Sequence, residues 1–396
     1  MKKSKKEGFS TAAIATGKNL DDSYNPLSMP IYQTNAFIFP NAKTAAARFE
    51  GTEEGFVYTR LGNPTQQALE NTISKLEGGE KAVATASGQA ATAIALLGLL
   101  RTGDHLIVGA NVYGCTFTLI KDYLVGRLGM EASFVDTSSL DCVKKSFRPN
   151  TRAIFVETPT NPRLVVTDIK AVARLAHKHG AKLIVDNTFL SPYFQKPLSL
   201  GADLVIESCT KYIGGHGDTM AGVIAGSKKI IQPLYESTLK DHGGIISPYT
   251  AWLCLRGLKT LAIRMERHEQ NTQKIARFLE RHPAIKAVWY PGLRSHPQYT
   301  VNRKQATGAG GTLSFELHGT KRTAYAFLNK LKTCRLALSL GAVNTLICHP
   351  ASTTHSKVPK KEREAMGISD TLIRMAVGLE DSEDLIRELR QALPPK

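Results

Sequence analysis

Short apolar runs rich in β-branched residues recur along the first two thirds of the chain and predict seven strands. They lie at 81–85, 105–108, 132–135, 153–156, 182–185, 203–206 and 222–225. Helical patterns separate several of them, most clearly between Asp168, a suitable N-cap, and Gly180, a suitable helix stop. Apolar strands that alternate with helices predict an α/β fold with a mainly parallel sheet covered on both faces.

The remaining segments follow other patterns, and they divide the chain into three parts. Residues 1–60 lack the alternation and predict an extended N-terminal arm, followed by the sheet domain over residues 61–250. A long helical pattern runs from Tyr249 to about His282, and a smaller α/β segment with a final helix over 381–392 completes a C-terminal domain at 251–396. A chain of 396 residues is longer than one hydrophobic core usually supports, which agrees with this division.

The composition narrows the class of protein. Hydrophobic residues make up 42% and charged residues 21%, as in ordinary globular proteins, and no apolar run is long enough to span a bilayer. The net charge of +17 is spread along the chain without a nucleic-acid module, so we expect small anions rather than nucleic acid as ligands. Six scattered cysteines without a C-x-x-C pair predict reduced thiols and a cytoplasmic location. No residue spacing predicts a metal site.

Candidate chemistry lies where two successive predicted strands end. Asp186 ends the run at 182–185, and Ser208, Thr210 and Lys211 follow the run at 203–206. In a parallel sheet these positions share one edge, which is where ligands of open α/β sheets bind. A lysine there can form an imine with a carbonyl cofactor, and a carboxylate can hold a pyridine nitrogen protonated. In extended backbone, Ser208 and Thr210 would present both hydroxyls to one side, where a phosphate could bind.

A third element at this edge is the turn Ser87-Gly88-Gln89, where a strand meets a helix. Gly88 permits close backbone approach, and the helix N-terminus offers free N–H groups to a phosphate. Each of the three elements has an ordinary explanation when taken alone. Lys211 could be an exposed lysine, Asp186 a cap or turn residue, and the segment 87–89 a common strand-to-helix turn. Together they predict a cofactor that carries an aldehyde, an aromatic nitrogen and a phosphate, namely pyridoxal 5'-phosphate (PLP).

The sequence around Lys211 strongly resembles the lysine signature of the Cys/Met-metabolism family of PLP-dependent enzymes, the trans-sulfuration enzymes. The resemblance extends over nearly the whole chain, through the segments 58–64, 157–162, 185–188, 256–260 and 349–355. It implies the PLP-dependent transferase fold of fold type I, similar to aspartate aminotransferase, with a mainly parallel seven-stranded sheet and a smaller C-terminal α/β domain. Family members are usually homotetramers built as dimers of dimers.

The resemblance also implies roles for individual residues around the cofactor. Lys211 would bind the PLP aldehyde and Asp186 the pyridine nitrogen, with Asn161 beside the ring hydroxyl. The residues implied to hold the phosphate are Ser87, Gly88, Gln89, Ser208 and Thr210, completed by Tyr58 and Arg60 of a neighbouring subunit.

Around the substrate, the resemblance implies that Tyr113 stacks on the ring and acts as an acid, while Arg374 binds the substrate carboxylate with Ser339 nearby. A guanidinium suits this role because it binds a carboxylate through two parallel hydrogen bonds. We expect cationic charge near Tyr113 to ease the loss of its phenolic proton.

Members of this family catalyse several reactions on one scaffold, so the fold cannot select among them. The segment around Tyr113 resembles that of methionine γ-lyases, which carry a cysteine at the place of Cys115. A soft thiol at this place suits a thioether substrate. Lys240 and Asp241 resemble charged residues near that cysteine in the same enzymes. Leu338 stands where cystathionine-processing relatives typically carry a glutamate, and an apolar residue there suits a methyl thioether better than a distal ammonium group.

These features predict α,γ-elimination of L-methionine to methanethiol, 2-oxobutyrate and ammonia. Gln89 and the segment 242–244 depart from the methionine γ-lyase pattern, and both leave the substrate open. The alternatives are a cystathionine γ-lyase or γ-synthase, or an O-acetylhomoserine sulfhydrylase. A non-catalytic, basic, anion-binding protein is a more remote alternative, because Lys211, Asp186, Tyr113 and Arg374 are all present.

Overall fold

The computed structural model describes residues 7–15, 25–356 and 358–394. Residues 1–6 and 16–24 of the predicted arm therefore lie outside the described residues. The helices in chain order are α1 (Phe9–Ile14), α2 (Ala42–Glu50), α3 (Pro64–Glu77), α4 (Gly88–Leu99), α5 (Gly114–Thr118), α6 (Leu140–Lys145), α7 (Ile169–Lys178), α8 (Ser191–Phe194), α9 (Lys228–Pro233), α10 (Lys240–His242), α11 (Pro248–Leu258), α12 (Leu261–Glu280), α13 (Tyr299–Gln305), α14 (Lys321–Asn329), α15 (Lys360–Ala365) and α16 (Ser382–Ala392).

The seven predicted strands are all present. They are β1 (Lys81–Thr85), β2 (His105–Gly109), β3 (Glu131–Val135), β4 (Thr151–Glu157), β5 (Lys182–Asp186), β6 (Leu204–Glu207) and β7 (Gly222–Gly226). In the described part of the chain they form one sheet in the order β1-β7-β6-β5-β4-β2-β3, in which only β7 pairs antiparallel with its neighbours. The predicted fold class, an α/β fold with a mainly parallel seven-stranded sheet, is confirmed.

Both faces of the central strands are buried, which explains why those strands are mainly apolar. Successive residues of a strand point to opposite faces. Phe155 packs on the face covered by α4, and Val156 packs on the face covered by α7. Helix α7 begins after Asp168, whose carboxylate accepts a hydrogen bond from the Ala171 N–H at 2.9 Å, as its sequence predicts.

A second sheet follows the long helices α11 and α12. Its strands are β8 (Ile285–Trp289), β9 (Thr312–Leu317), β10 (Arg335–Leu336), β11 (Leu346–Cys348) and β12 (Leu372–Ala376), in the order β10-β11-β12-β9-β8. All its pairings are antiparallel except that of β10 with β11. Arg374 lies in β12, and Leu338 and Ser339 follow β10, so this sheet positions three of the six predicted substrate-binding residues.

The prediction of an extended arm is wrong for residues 9–14, which form helix α1, and for residues 42–50, which form helix α2. Asn41 caps this helix, since its side chain accepts a hydrogen bond from the Thr44 N–H at 2.8 Å. The alanine-rich composition of the segment is favourable for a helix, whereas the absence of a clear apolar stripe hid it from a periodicity argument. No helix among the described residues is long and apolar enough to cross a membrane.

Candidate active site

The carboxyl ends of β4, β5 and β6 meet at one edge of the large sheet. Asp186, the last residue of β5, lies opposite Glu157 of β4 on one side and Ile206 of β6 on the other. Lys211 follows β6 by four residues, and its Nζ donates a hydrogen bond to Ser339 Oγ at 3.2 Å. The prediction that Asp186 and Lys211 follow neighbouring parallel strands is confirmed.

The backbone between β6 and Lys211 does not continue in the extended form assumed from the sequence. It turns, with the Lys211 N–H donating to the Ser208 carbonyl at 3.0 Å. The Thr210 hydroxyl donates to the Ala221 carbonyl at 3.2 Å and accepts from the Ala221 N–H at 3.1 Å. The argument that Ser208 and Thr210 share one side of a strand is therefore wrong, because the turn ends the alternation at Glu207.

Ser208 nevertheless lies against the N-terminus of α4. A Cβ added to Gly88 would come within 2.8 Å of the Ser208 Cβ, so only a glycine allows this approach. The Ser87 side chain caps the twelve-residue helix by accepting the Ala90 N–H at 3.1 Å. The side chain of Gln89 accepts a hydrogen bond from the Thr116 hydroxyl at 3.0 Å. Unpaired N–H groups at a helix N-terminus, beside a serine hydroxyl, form a site suited to a phosphate.

The ammonium group of Lys211 lies in a mostly desolvated position. Burial, with a smaller contribution from the positive charge of Arg374, lowers its pKa from 10.5 to about 8. The neutral form of this amine, which a nucleophile and a base require, is therefore more populated near neutral pH than that of an exposed lysine.

Two carboxyl groups lie side by side at the strand ends. Burial raises the pKa of Asp186, although hydrogen bonds from Thr188 act in the opposite direction. Burial and the neighbouring Asp186 raise the pKa of Glu157 well above its usual value, while two backbone N–H groups and Arg374 oppose that rise. A positive charge bound at Asp186 would relieve this repulsion.

Tyr113 is the N-cap of α5, and 39% of its surface is exposed. A hydrogen bond with Cys115, followed by burial, raises the Tyr113 pKa to about 12. The positive charge of Arg374 lowers that pKa, as expected from the sequence, but the other two effects are larger. Cationic charge therefore acts in the expected direction but does not outweigh the other two effects, and Tyr113 is a proton donor at neutral pH.

Arg374 is almost fully buried at 2% exposure. Its Nη1 donates to Asn161 Oδ1 at 3.1 Å, and its Nη2 donates to the carbonyls of Leu338 at 2.7 Å and Ser339 at 2.9 Å. Its Nε has no hydrogen-bond partner within the part of the chain that the structure describes. Such a guanidinium, with a free donor and no carboxylate partner, suits a carboxylate ligand. The side chain of Leu338 is 55% exposed beside it.

Four predicted site residues do not belong to this cluster within one chain. They are Tyr58, Arg60, Lys240 and Asp241. Arg60 packs on the Tyr58 ring, and its Nη1 donates to the Lys240 carbonyl at 3.0 Å. Lys240 and Asp241 form an exposed ion pair with each other at 3.7 Å. Over the described residues, no hydrogen bond or ion pair links any of the four to Lys211, Asp186 or Tyr113.

Sequence reasoning assigned no role to Glu157 and Thr188, both of which contact predicted site residues. The Thr188 Oγ1 accepts the Ser208 N–H at 2.9 Å. Glu157 ends β4 just as Asp186 ends β5, so the rule that selected Asp186 could have selected it too. Among residues 7–15, 25–356 and 358–394, no three His, Cys, Asp or Glu side chains form a group that could hold a metal ion.

Comparison with known proteins decides the family. A family model described as Cys/Met metabolism PLP-dependent enzyme matches residues 10–394. The chain belongs to this family. An L-methionine gamma-lyase of Fusobacterium nucleatum subsp. polymorphum is 49% identical to it over 98% of both chains. A cystathionine gamma-lyase of Bacillus subtilis (strain 168) is 44% identical over 97% of this chain and 98% of its own. The crystal structure of metB from Corynebacterium glutamicum matches with a TM-score of 0.92 and 42% identity, covering 98% of each chain.

Membership confirms the family predicted from the sequence and its cofactor, so the chain is a PLP-dependent enzyme. The side chains at the strand ends fit that cofactor. Lys211 has a lowered pKa, Asp186 is a carboxyl group beside a second buried carboxyl group, and Gly88 leaves space between Ser208 and the start of α4. An amine, a carboxylate and a phosphate site are the three groups that PLP requires.

Proposed function

We propose that this enzyme is a carbon–sulfur lyase that converts L-methionine and water to methanethiol, 2-oxobutyrate and ammonia. The observation that carries the proposal is the apolar, half-exposed Leu338 beside the buried Arg374. A substrate carboxylate bound at Arg374 would place its side chain near Leu338, whose apolar side chain cannot pair with a distal charge. In support, several relatives 44 to 49% identical to this chain are named L-methionine gamma-lyase.

Each residue of the site has a chemical task in this reaction. Bound PLP supplies an electron sink that acidifies the protons on Cα and Cβ of the attached amino acid. Arg374 orients the substrate through its carboxylate, and Asp186 holds the pyridine nitrogen in its protonated form. The neutral amine of Lys211 removes the Cα proton and moves protons at Cβ. Tyr113, whose pKa is about 12, protonates the departing sulfur atom.

We further propose the arrangement of chains and domains that the sequence suggests. The arm, residues 1–60, extends to a neighbouring subunit and brings Tyr58 and Arg60 to its phosphate site. Residues 61–250 bind PLP, and residues 251–396 form the C-terminal domain. In support, Tyr58 and Arg60 lie away from Lys211 in their own chain, where both are exposed. A homotetramer of two such dimers and a cytoplasmic location, in line with six unpaired cysteines, complete the proposal.

The activity is tested by measuring methanethiol released from L-methionine by the PLP-loaded enzyme, with Lys211→Ala as the inactive control. We expect methanethiol and 2-oxobutyrate in equal amounts. Efficient turnover of cystathionine with none of methionine would contradict the proposal.

A second candidate is cystathionine cleavage or synthesis, which the relative named cystathionine gamma-lyase favours. Measuring the 2-oxobutyrate and cysteine released from cystathionine tests cleavage. Supplying O-acetylhomoserine with sulfide or cysteine tests synthesis, because a transferase forms a new carbon–sulfur bond from these substrates.

A further inference from the structure

Glu157 is a buried carboxylate in the site. Neither the sequence motifs nor the proposed reaction assigns it a role. It is the last residue of β4, is 5% exposed, and lies directly opposite Asp186 in the sheet. A charged group at this depth is costly unless it is hydrogen-bonded. Its hydrogen-bond partners therefore indicate why it is there.

The two oxygens of Glu157 bind two separate segments of the site. Oε2 accepts the backbone N–H of Tyr113 at 2.8 Å, and Oε1 accepts the backbone N–H of Asn161 at 2.7 Å. Tyr113 immediately precedes helix α5, which continues into a π-helical segment at Leu119–Val125, so the bond from Glu157 holds the point where this helical stretch begins. One rigid strand end thus holds the backbone of the proposed proton donor and that of the residue proposed to lie beside the ring hydroxyl.

The contact at Asn161 continues to the substrate side of the site. The Asn161 Oδ1 accepts a hydrogen bond from Nη1 of Arg374 at 3.1 Å, and Nη2 of Arg374 donates to the Ser339 carbonyl. Ser339 in turn accepts from Nζ of Lys211 at 3.2 Å. A series of hydrogen bonds, which passes through Asn161 and Ser339, therefore connects Glu157 with Arg374 and Lys211. Glu157 binds Tyr113 directly.

We propose that Glu157 is a positioning residue that fixes Tyr113 and, through Asn161, Arg374 relative to each other across the substrate. This inference rests on the proposed function, because it assumes those roles for Tyr113 and Arg374. A carboxylate suits the task because both its oxygens are acceptors, so it can bind two N–H groups from different segments at once.

The test is Glu157→Gln in the PLP-loaded enzyme. Glutamine keeps the size of the side chain but turns an N–H₂ group towards one of the two N–H donors, so one hydrogen bond is lost. We expect kcat/KM to fall on the order of 100-fold, as when a catalytic group is displaced by a fraction of an ångström to an ångström. Binding of glycine, which has the carboxylate and amine but nothing to eliminate, should weaken about tenfold, since Arg374 loses part of its support.

Glycine affinity is followed through the absorbance of the bound cofactor, so it does not depend on turnover. PLP content should stay at the level of the unmodified enzyme, since Glu157 does not contact the residues proposed for the phosphate. Glu70→Gln is the matched control. Glu70 also accepts one backbone N–H, from Ala84 at 2.9 Å, and burial raises its pKa to about 7, yet it lies in α3 away from the site.

Glu157→Asp is measured in the same way in case the glutamine variant does not fold. Aspartate keeps the charge but is one methylene too short to reach both N–H groups, so losses in the same direction are expected. Unchanged kcat/KM and glycine affinity in either variant would overturn the inference, as would loss of PLP in proportion to activity. All assays use whichever amino acid the unmodified enzyme turns over, so failure on methionine would refute the proposed function without affecting this test.

Discussion

Single residues set the proton affinities of this site through their immediate neighbours. Lys211 has a lowered pKa because it is desolvated, and Tyr113 has a raised one mainly because of Cys115. The two shifts give the site a base and an acid that coexist at neutral pH, as general acid–base catalysis requires. The sequence predicts that the thiol of Cys115 lies near a thioether substrate. In the structure, the effect of Cys115 is on Tyr113, whose pKa it raises.

Replacing Cys115 with alanine should lower the Tyr113 pKa. The hydrogen bond to Cys115 is the largest cause of the rise from 10.0 to about 12, so the shift should be smaller than that difference. The alkaline limb of the pH profile of kcat should therefore move to lower pH, since a proton donor must remain protonated. The control is the exposed Cys142→Ala. An alkaline limb that stays in place in Cys115→Ala would refute this assignment.

At the scale of elements, the large sheet could be predicted from the sequence. The geometry between elements could be predicted only in part. Each of the seven strands contains a short apolar run, and both faces of the central strands are covered, so the strands are visible in the sequence. The ends of β5 and β6 then placed Asp186 and Lys211 correctly. The turn at Ser208 and the contacts of Glu157 could not be predicted, because Glu157 and Tyr113 are 44 residues apart in sequence and nothing local joins them.

Helix α2 was missed for a related reason. Its residues include no buried side chain in one chain, so no apolar stripe marks it in the sequence. The positions of Tyr58 and Arg60 followed only from the resemblance, since their proposed partners belong to a second subunit.

The meeting of α4 with the turn after β6 is testable through Gly88→Ala. The added Cβ would come within 2.8 Å of Ser208, a contact that real side chains do not make, so one element must move. We expect PLP affinity to fall about tenfold or more with little loss of folding, because the change displaces donors at a helix N-terminus. Gly244→Ala serves as the control, since its Cβ would meet only side-chain atoms at 3.4 Å and beyond. Unchanged PLP affinity in Gly88→Ala would contradict the phosphate assignment.

At the scale of the whole molecule, stability should depend on pH through a buried pair of carboxyl groups behind the site. Glu77 of α3 and Glu207 of β6 are 0% and 2% exposed, and Asn187 Nδ2 donates to Glu207 Oε1 at 2.9 Å. Burial raises the Glu77 pKa from 4.5 to about 7, although interactions with the side chains of Glu207 and Asn187 and the charge of Lys196 act to lower it. The folded chain therefore binds a proton more tightly than the unfolded one.

This stabilising contribution is present in full below pH 4.5 and is lost as the pH rises through about 7. Glu77→Gln removes the buried group that must lose a proton as the pH rises, so at about pH 8 the variant should be more stable by about 1–3 kcal/mol. Its melting temperature should also fall less than that of the unmodified enzyme between about pH 5 and about pH 8. The exposed Glu50→Gln is the control, and equal pH dependence in Glu77→Gln and the unmodified enzyme would refute the explanation.

The proposed sharing of the active site between subunits can be tested by mixing inactive variants. Arg60→Ala and Lys211→Ala should each be nearly inactive alone. A dimer with one chain of each kind has one site with both residues intact, so co-expression should restore about a quarter of the activity per site if the chains assort at random. Absence of restored activity in a verified hybrid dimer would indicate that each site is built from one chain.

The central claim is that Lys211 holds the aldehyde of PLP while Asp186 binds the opposite end of its ring. Borohydride reduction of the PLP-loaded enzyme, followed by peptide mass mapping, tests it directly by fixing the cofactor to the amine that holds it. We predict a single pyridoxyl phosphate group on Lys211 and none in Lys211→Ala. A reduced adduct on another lysine, or none in an enzyme with a full complement of PLP, would contradict the account.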